Sequence, residues 1–231
     1  MGPVEALRGH LRAALRERQQ AAKKQLPLGE LPFITISRQA GAGGRSLASA
    51  ILAEFEKHPE EPRLQGWHSF DDELCQLIVS DPELNVSFNE LITESFRTRS
   101  EDLVSVMLGK SFQDDVQQRI SVTLRNLALA GKAILIGRNG VAITRDLAPG
   151  IHIRLIAARE SRVRHMMGGF EISEEKAGRW VDDQDRARAK MMKSRFRQDI
   201  EDPLRYDATW NTDYVPLEAI ARWAVDMVLG K

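Results

Sequence analysis

Short apolar, β-branched runs alternate along this chain with longer stretches whose apolar residues recur every three or four positions. The short runs are Ile34-Thr-Ile36, Trp67-His-Ser-Phe70, Lys132-Ala-Ile-Leu-Ile136, Ile151-His-Ile-Arg-Leu-Ile156 and Ala208-Thr-Trp-Asn-Thr212. Apolar runs of this length, closed by glycine or by a change of pattern, read as strands buried on both faces. The helical stretches are Leu47 to Lys57, most of 71–130 with breaks at Asp81-Pro82 and near Gly109, Arg159 to Arg197 with an interruption at Gly168-Gly169, and Pro216 onward. Strands that alternate with helices predict an α/β fold: a parallel five-stranded sheet with helices on both faces, three layers in all.

Residues 1–30 stand apart as an N-terminal extension. Leu7, Leu11 and Leu15 recur every four positions, and Arg8, Arg12, Arg16, Arg18, Lys23 and Lys24 make the segment basic. The pattern predicts an amphipathic helix from Val4 to Gln25, whose narrow apolar stripe packs on the domain or on a second copy of the chain. Pro27 and Pro32 separate it from the domain, residues 31–231.

The junction of the first strand and its helix is the most informative segment. Ile34-Thr-Ile-Ser-Arg-Gln-Ala-Gly-Ala-Gly-Gly-Arg-Ser46 runs from an apolar strand through a glycine cluster into a helix. Glycines at 41, 43 and 44 permit a turn whose N–H groups converge on an anion at the positive end of a helix dipole. Against the pattern G-x-x-x-x-G-K-[ST], the first glycine position holds Arg38, the second Gly43, the lysine position Gly44 and the hydroxyl position Arg45, with Ser46 one step on. Arg38 and Arg45 are both candidates for the missing cation, since a guanidinium grips phosphate oxygens in a fork. Gly41, Ala42, Gly43, Gly44, Arg45 and Ser46 form the candidate phosphate cradle, with Ser46 the candidate magnesium ligand. The competing reading is a turn that only joins a strand to a helix.

Composition narrows the partners. Thirty-three basic residues balance thirty-three acidic ones, which argues against a general nucleic-acid binder. The single cysteine excludes an intramolecular disulfide and a cysteine zinc site. No apolar run reaches membrane length and no signal-peptide core opens the chain, so a cytoplasmic protein without membrane insertion is expected. His68, His152 and His165 lack metal-ligand spacing. The methionine pairs 166–167 and 191–192 read as packing, and the tryptophans as core or interface.

Ligands of such sheets bind beyond the C-terminal ends of the strands. Those ends carry the glycine loop, Asp71-Asp-Glu73, Gly137-Arg-Asn-Gly140, the arginines 159, 162 and 164, and Asn211-Thr-Asp213. Arg138 follows a buried strand between glycines, a position open to a ligand phosphate or to a structural carboxylate. The segment from 159 to 197 concentrates Arg162, Arg179, Asp185, Arg186 and Arg188. It reads either as a solvated helical hairpin of ion pairs or as an arginine-bearing lid hinged at its glycines, suited to phosphoryl transfer.

These residues together resemble the cytidylate kinase-like proteins, a branch of the P-loop nucleoside monophosphate kinases. That branch opens I-T-I-S-R-x-x-G-S-G-G-R, without the loop lysine, as this chain does at 34–45. Ser69-Phe-Asp-Asp-Glu-Leu74 is similar to its F-Y-D-K-E-L, and Ala133-Ile-Leu-Ile-Gly-Arg-Asn-Gly140 to its V-I-V-G-R-G-A. Ala157 to Arg164 is similar to A-x-x-E-x-R-x-x-R, Asp185-Arg-Ala-Arg188 to its D-x-x-R-A, and Tyr206-Asp-Ala-Thr-Trp-Asn-Thr212 to Y-D-L-V-I-N-T. The likeness spans about 33–228. It implies a P-loop NTPase-type core with a helical acceptor-binding insertion at about 71–130 and a lid at about 159–197. It implies transfer of the terminal phosphoryl of ATP, with Mg2+, to CMP, dCMP or another small acceptor. Asp71, Arg138 and Asn139 would then face the acceptor, and Arg45, Arg138, Arg162, Asp185, Arg186 and Arg188 would serve the transfer. Asn139 stands where cytidylate kinases carry aspartate. The alternative is a nucleotide-binding sensor or interaction module with weak catalysis.

Overall fold

The computed structural model describes residues 31–71, 79, 101, 104, 115–137 and 139–230. The expected N-terminal helix and most of the expected acceptor insertion, Cys75 included, lie outside the described residues. So does Arg138.

Five strands form one parallel sheet: β1 (Phe33–Arg38), β2 (His68–Phe70), β3 (Ala133–Ile136), β4 (Gly150–Ile156) and β5 (Ala208–Asn211), in the order β2-β3-β1-β4-β5. The described helices of the domain are α1 (Gly44–Phe55), α2 (Asp115–Ala130), α3 (Gly140–Thr144), α4 (Arg159–Phe170), α5 (Glu174–Phe196) and α6 (Leu217–Gly230). The expected α/β fold is therefore present.

The period-two alternation of β1 decides which helix lies on which face. Ile34 and Ile36 point into a core with Leu47 and Ile51 of α1, Ile151, Ile153 and Leu155 of β4, and Ile220 and Ala224 of α6. Phe33 points the other way, into a core with Ile120, Leu124 and Leu127 of α2 and Ile143 of α3. So β1 hands the chain to α1 on one face, while its neighbour β3 hands it to α3 on the other. Ile34 pairs with Ile134 of β3 and with Ile151 of β4. The crevice where adjacent connections part lies at the C-terminal ends of β1 and β3, the place such sheets keep for ligands.

Several boundaries differ from the sequence pattern. Helix α1 begins at Gly44 rather than Leu47, because Gly43, at φ 88°, already turns the chain and serves as N-cap. Trp67 precedes β2 instead of starting it. Its ring meets Phe55 edge-on, and its indole N–H donates to the carbonyl of Arg63 at 2.8 Å. The charged region does not break at Gly168-Gly169, which remain inside α4. It breaks at Glu171, which takes the left-handed conformation at φ 52°, and Ser173 then caps α5 by accepting the Lys176 N–H. Neither glycine is crowded, so both persist in the helix as ordinary, if poor, helix formers.

Candidate active site

The glycine loop joins β1 to α1 within hydrogen-bond reach of α4, α5 and Thr212, the residue after β5. Gly41 has φ 81°, a conformation that glycine adopts without strain, and a Cβ there would sit 2.7 Å from the Arg162 carbonyl oxygen. The loop and α4 therefore touch backbone to backbone. No side chain caps the N-terminus of α1. The first-turn N–H groups of a helix have no carbonyl of their own to bond, so this end is disposed toward an anion.

Two lid candidates bind the loop itself. Arg162 donates from Nη1 to the Ala40 carbonyl at 3.0 Å and to Asp185 Oδ2 at 2.6 Å. Asp185 Oδ1 in turn accepts the Ala40 N–H at 2.7 Å. Both polar groups of one loop residue are thus held by one part-buried ion pair between α4 and α5. Arg162 also donates from Nε to the Ala157 carbonyl at 3.0 Å. The root of the α4–α5 hairpin is fixed to the loop.

A cavity of ≈ 140 Å³ opens at the crevice. Its floor is the end of β1, Thr35 to Arg38, with Gly137, Asn139, Gly140 and Val141 on the β3 side. Gln184, Ala187, Arg188, Met191 and Met192 of α5, together with Ile200, form the opposite wall. The methionine pair 191–192 therefore lines the cavity, and Met192 is buried against Val141, Ala142 and Tyr206.

The sequence-predicted residues separate within this frame. Asn139 caps α3 in the left-handed conformation, φ 56°, and lines the cavity with Arg38 and Arg188. Arg188 approaches the Arg38 carbonyl from Nη1 at 3.5 Å and Asp185 at 3.6 Å. Arg45 instead pairs with Asp71 at 2.9 Å, its side chain 59% exposed. Ser46 lies on the exposed side of the first turn of α1. Arg186 is not brought to the cavity: it pairs with Asp183 on its own helix and is 76% exposed. Arg159 likewise pairs with Asp182 at the surface, and that hydrogen bond holds the Asp182 carboxyl below its ordinary pKa. Among the described residues no group of three histidine, cysteine, aspartate or glutamate side chains is placed to hold a metal ion. None of the described helices is long and apolar enough to cross a membrane.

Other residues surround the site, and of these Arg154 and the buried role of His152 escape the sequence reading. Arg154 of β4 is buried, donates to Ser37 at 3.3 Å, faces Glu201 at 3.6 Å and lies over the Tyr206 ring. Tyr206 donates to the Ile200 carbonyl at 2.8 Å. His152 is fully buried and shares a 2.7 Å hydrogen bond with Thr35. The signal was present in Ile151-His-Ile-Arg-Leu-Ile156, where two polar residues interrupt an apolar run on one face. Thr212 contacts the Ala42 carbonyl at 3.4 Å, and Asp213 accepts the Ala158 N–H at the start of α4 at 2.7 Å. That bond, with the Ser161 hydroxyl, holds the Asp213 carboxyl below its ordinary pKa.

The model of the cytidylate kinase-like family matches residues 33–214. The chain belongs to this family. The match starts with β1 and includes the loop, the α4–α5 hairpin and β5, so the cavity lies wholly within it. Membership marks the chain as kinase-like. Comparison with curated proteins returned no match. Among solved structures, an uncharacterized protein from Eubacterium ventriosum superposes with a TM-score of 0.64 at 14% identity, over 87% of this chain and 100% of that one, and so shares the fold. A shikimate kinase from Bacteroides thetaiotaomicron matches at TM-score 0.47 and 10% identity, over 86% and 98% of the two chains. A gluconokinase from Sinorhizobium meliloti matches at 0.45 and 13%, over 86% and 92%.

Proposed function

We propose that the protein transfers the terminal phosphoryl group of ATP to a nucleoside monophosphate, with CMP or dCMP the acceptors implied by the family. The observation that carries this reading is the cavity itself. It lies at the parting of β1 and β3, is lined by Arg38 and Arg188, and adjoins a loop that ends at a helix N-terminus without a side-chain cap.

The chain's own groups suit that task. The glycine cradle and the first turn of α1 offer N–H groups to the donor phosphates. Arg38 and Arg188 place positive charge where oxygens gain charge as the phosphoryl group moves. An acceptor phosphate oxygen bonds to the terminal phosphorus, the bond from that phosphorus to the bridging oxygen breaks, and ADP leaves. Arg162 and Asp185 keep the loop in shape and touch neither partner. Asn139 would meet the acceptor. Ser46 would hold Mg2+. When bound, magnesium neutralises charge on the phosphate oxygens.

Incubation with ATP, magnesium and a panel of nucleoside monophosphates, with direct detection of diphosphates, tests the reading. ADP formed together with CDP or dCDP is the expected result. Binding of ATP with no turnover of any acceptor overturns the transferase and leaves a nucleotide-binding module.

A further inference from the structure

We propose that Arg38 performs the phosphate-binding task of the absent loop lysine, the charge having moved from the end of the loop to its start. The inference rests on the nucleotide reading above and names the residue on which the donor phosphates depend.

The usual loop pairs a glycine at its first position with a lysine at its seventh. Here those two positions are exchanged in kind: Arg38 is first and Gly44 seventh. The structure shows why the changes belong together. A Cβ at Gly44 would lie 3.1 Å from both Cγ and Cδ of Arg38 and 3.4 Å from its Nε. The arginine stem therefore crosses the space that a side chain at 44 would occupy. Its guanidinium continues to Gly137, where a Cβ would collide with Nη1. Gly137 has φ 80° and directly follows β3, so a glycine is needed there for backbone shape and for room. Two glycines, one on each side of the crevice, thus accommodate one arginine.

The root of Arg38 is firm. It is the last residue of β1 and pairs with Leu155 of β4. From there the side chain passes the N-terminus of α1 and lines the cavity. Arg45, the other candidate, points to Asp71 and is largely solvent-exposed. A guanidinium at the Arg38 position can bridge two phosphate oxygens, whereas an ammonium acts as a point charge. The ligand chemistry is that of the outer phosphates of a nucleoside triphosphate.

The test measures binding of ATP and of adenosine by the full chain and its variants, with thermal melting as the check on folding. Arg38→Ala is expected to weaken ATP by about 10- to 100-fold, to leave adenosine unchanged, and to cost at least tenfold more ATP affinity than Arg45→Ala. Gly44→Lys alone is expected to weaken ATP, because its side chain enters the path of Arg38. The double variant Arg38→Gly/Gly44→Lys restores the usual arrangement and is expected to bind ATP more tightly than either single change. Arg38→Lys serves as a second, gentler variant and is expected to fall between wild type and Arg38→Ala. Equal ATP binding by wild type and folded Arg38→Ala overturns the inference alone. So does a loss shared equally by adenosine, or a larger loss from Arg45→Ala. Wild-type protein that binds no ATP overturns the nucleotide reading, and the inference with it.

Discussion

Asp185 accepts the backbone N–H of Ala40 at 2.7 Å, so a carboxylate near the middle of α5 fixes a loop residue that precedes it by 145 positions. The same carboxylate holds Arg162, whose guanidinium bonds the carbonyl of that same Ala40. The α4–α5 hairpin and the glycine loop form one unit at this point.

The clamp predicts coupled losses. Arg162 is 8% exposed, so Asp185→Ala strands a buried guanidinium and should destabilise the fold by about 3 kcal/mol. Asp185→Asn keeps an acceptor for Ala40 and should cost less. In urea titrations, the double variant Arg162→Ala/Asp185→Ala should lose less than the sum of its single variants. Strict additivity would mean that the pair is not coupled.

Glycines in the two halves of the hairpin contact should respond in opposite directions. A Cβ at Gly168 or Gly169 meets nothing within 4 Å, and both lie in α4. Gly168→Ala should therefore stabilise the protein by roughly 0.5–1 kcal/mol. Gly41→Ala must adopt a left-handed backbone against the Arg162 carbonyl and should cost more than about 1–2 kcal/mol. Melting temperatures of the two variants check the signs. A Gly168→Ala variant that keeps its stability but loses turnover would restore the idea of a hinge there.

Acid should weaken the anchorage of α2. Arg125, 3% exposed, binds both oxygens of Asp146 at 2.6 and 2.7 Å and the Ile143 carbonyl at 2.6 Å. The hydrogen bonds from Arg125 hold the Asp146 carboxyl below its ordinary pKa. A depressed folded pKa contributes stability above the unfolded value, roughly 3.9, and that contribution disappears as pH falls through the folded value. Asp146→Asn should therefore be less stable than wild type at pH 7, and the gap should narrow as pH falls below about 4. Urea midpoints at the two pH values measure it.

Ser46→Ala addresses the metal. If Ser46 holds Mg2+ beside the donor phosphates, the variant should need several-fold more magnesium for half-maximal turnover. Its binding of ATP without metal should stay unchanged. A magnesium titration of initial rates gives the answer.

Much of the fold was readable because strands buried on both faces leave an unmistakable apolar run. Ile34 to Ile36, Ala133 to Ile136 and Ile151 to Ile156 all became neighbouring strands, and the glycine cluster fell where β1 meets α1. The failures have a common cause, which is that spacing carries no direction. The sequence marks Arg162 and Asp185 as important, yet only the packing of α4 on Gly41 shows that they hold the loop. Arg186 is one position from Asp185 and points away to Asp183. Arg154 and His152 were hidden inside an apolar run, where a polar residue is informative only once its face is known. Gly168 and Gly169 stay within α4 because glycine lowers helix propensity without forbidding a helix.

The position of β1 at the centre of the sheet also governs how the protein is made. Its two neighbours begin at residues 133 and 150, about a hundred residues downstream. Until Ile156 has left the ribosome, Phe33-Ile-Thr-Ile36 has no complete set of strand partners, and an unpaired β-branched segment is prone to associate with other chains. Long-range pairing of this kind slows folding. A nascent chain that ends before β4 cannot root the glycine loop, however complete the loop's own residues are. The protein should therefore depend on protection during synthesis, and truncations before residue 156 should aggregate rather than yield a smaller working domain.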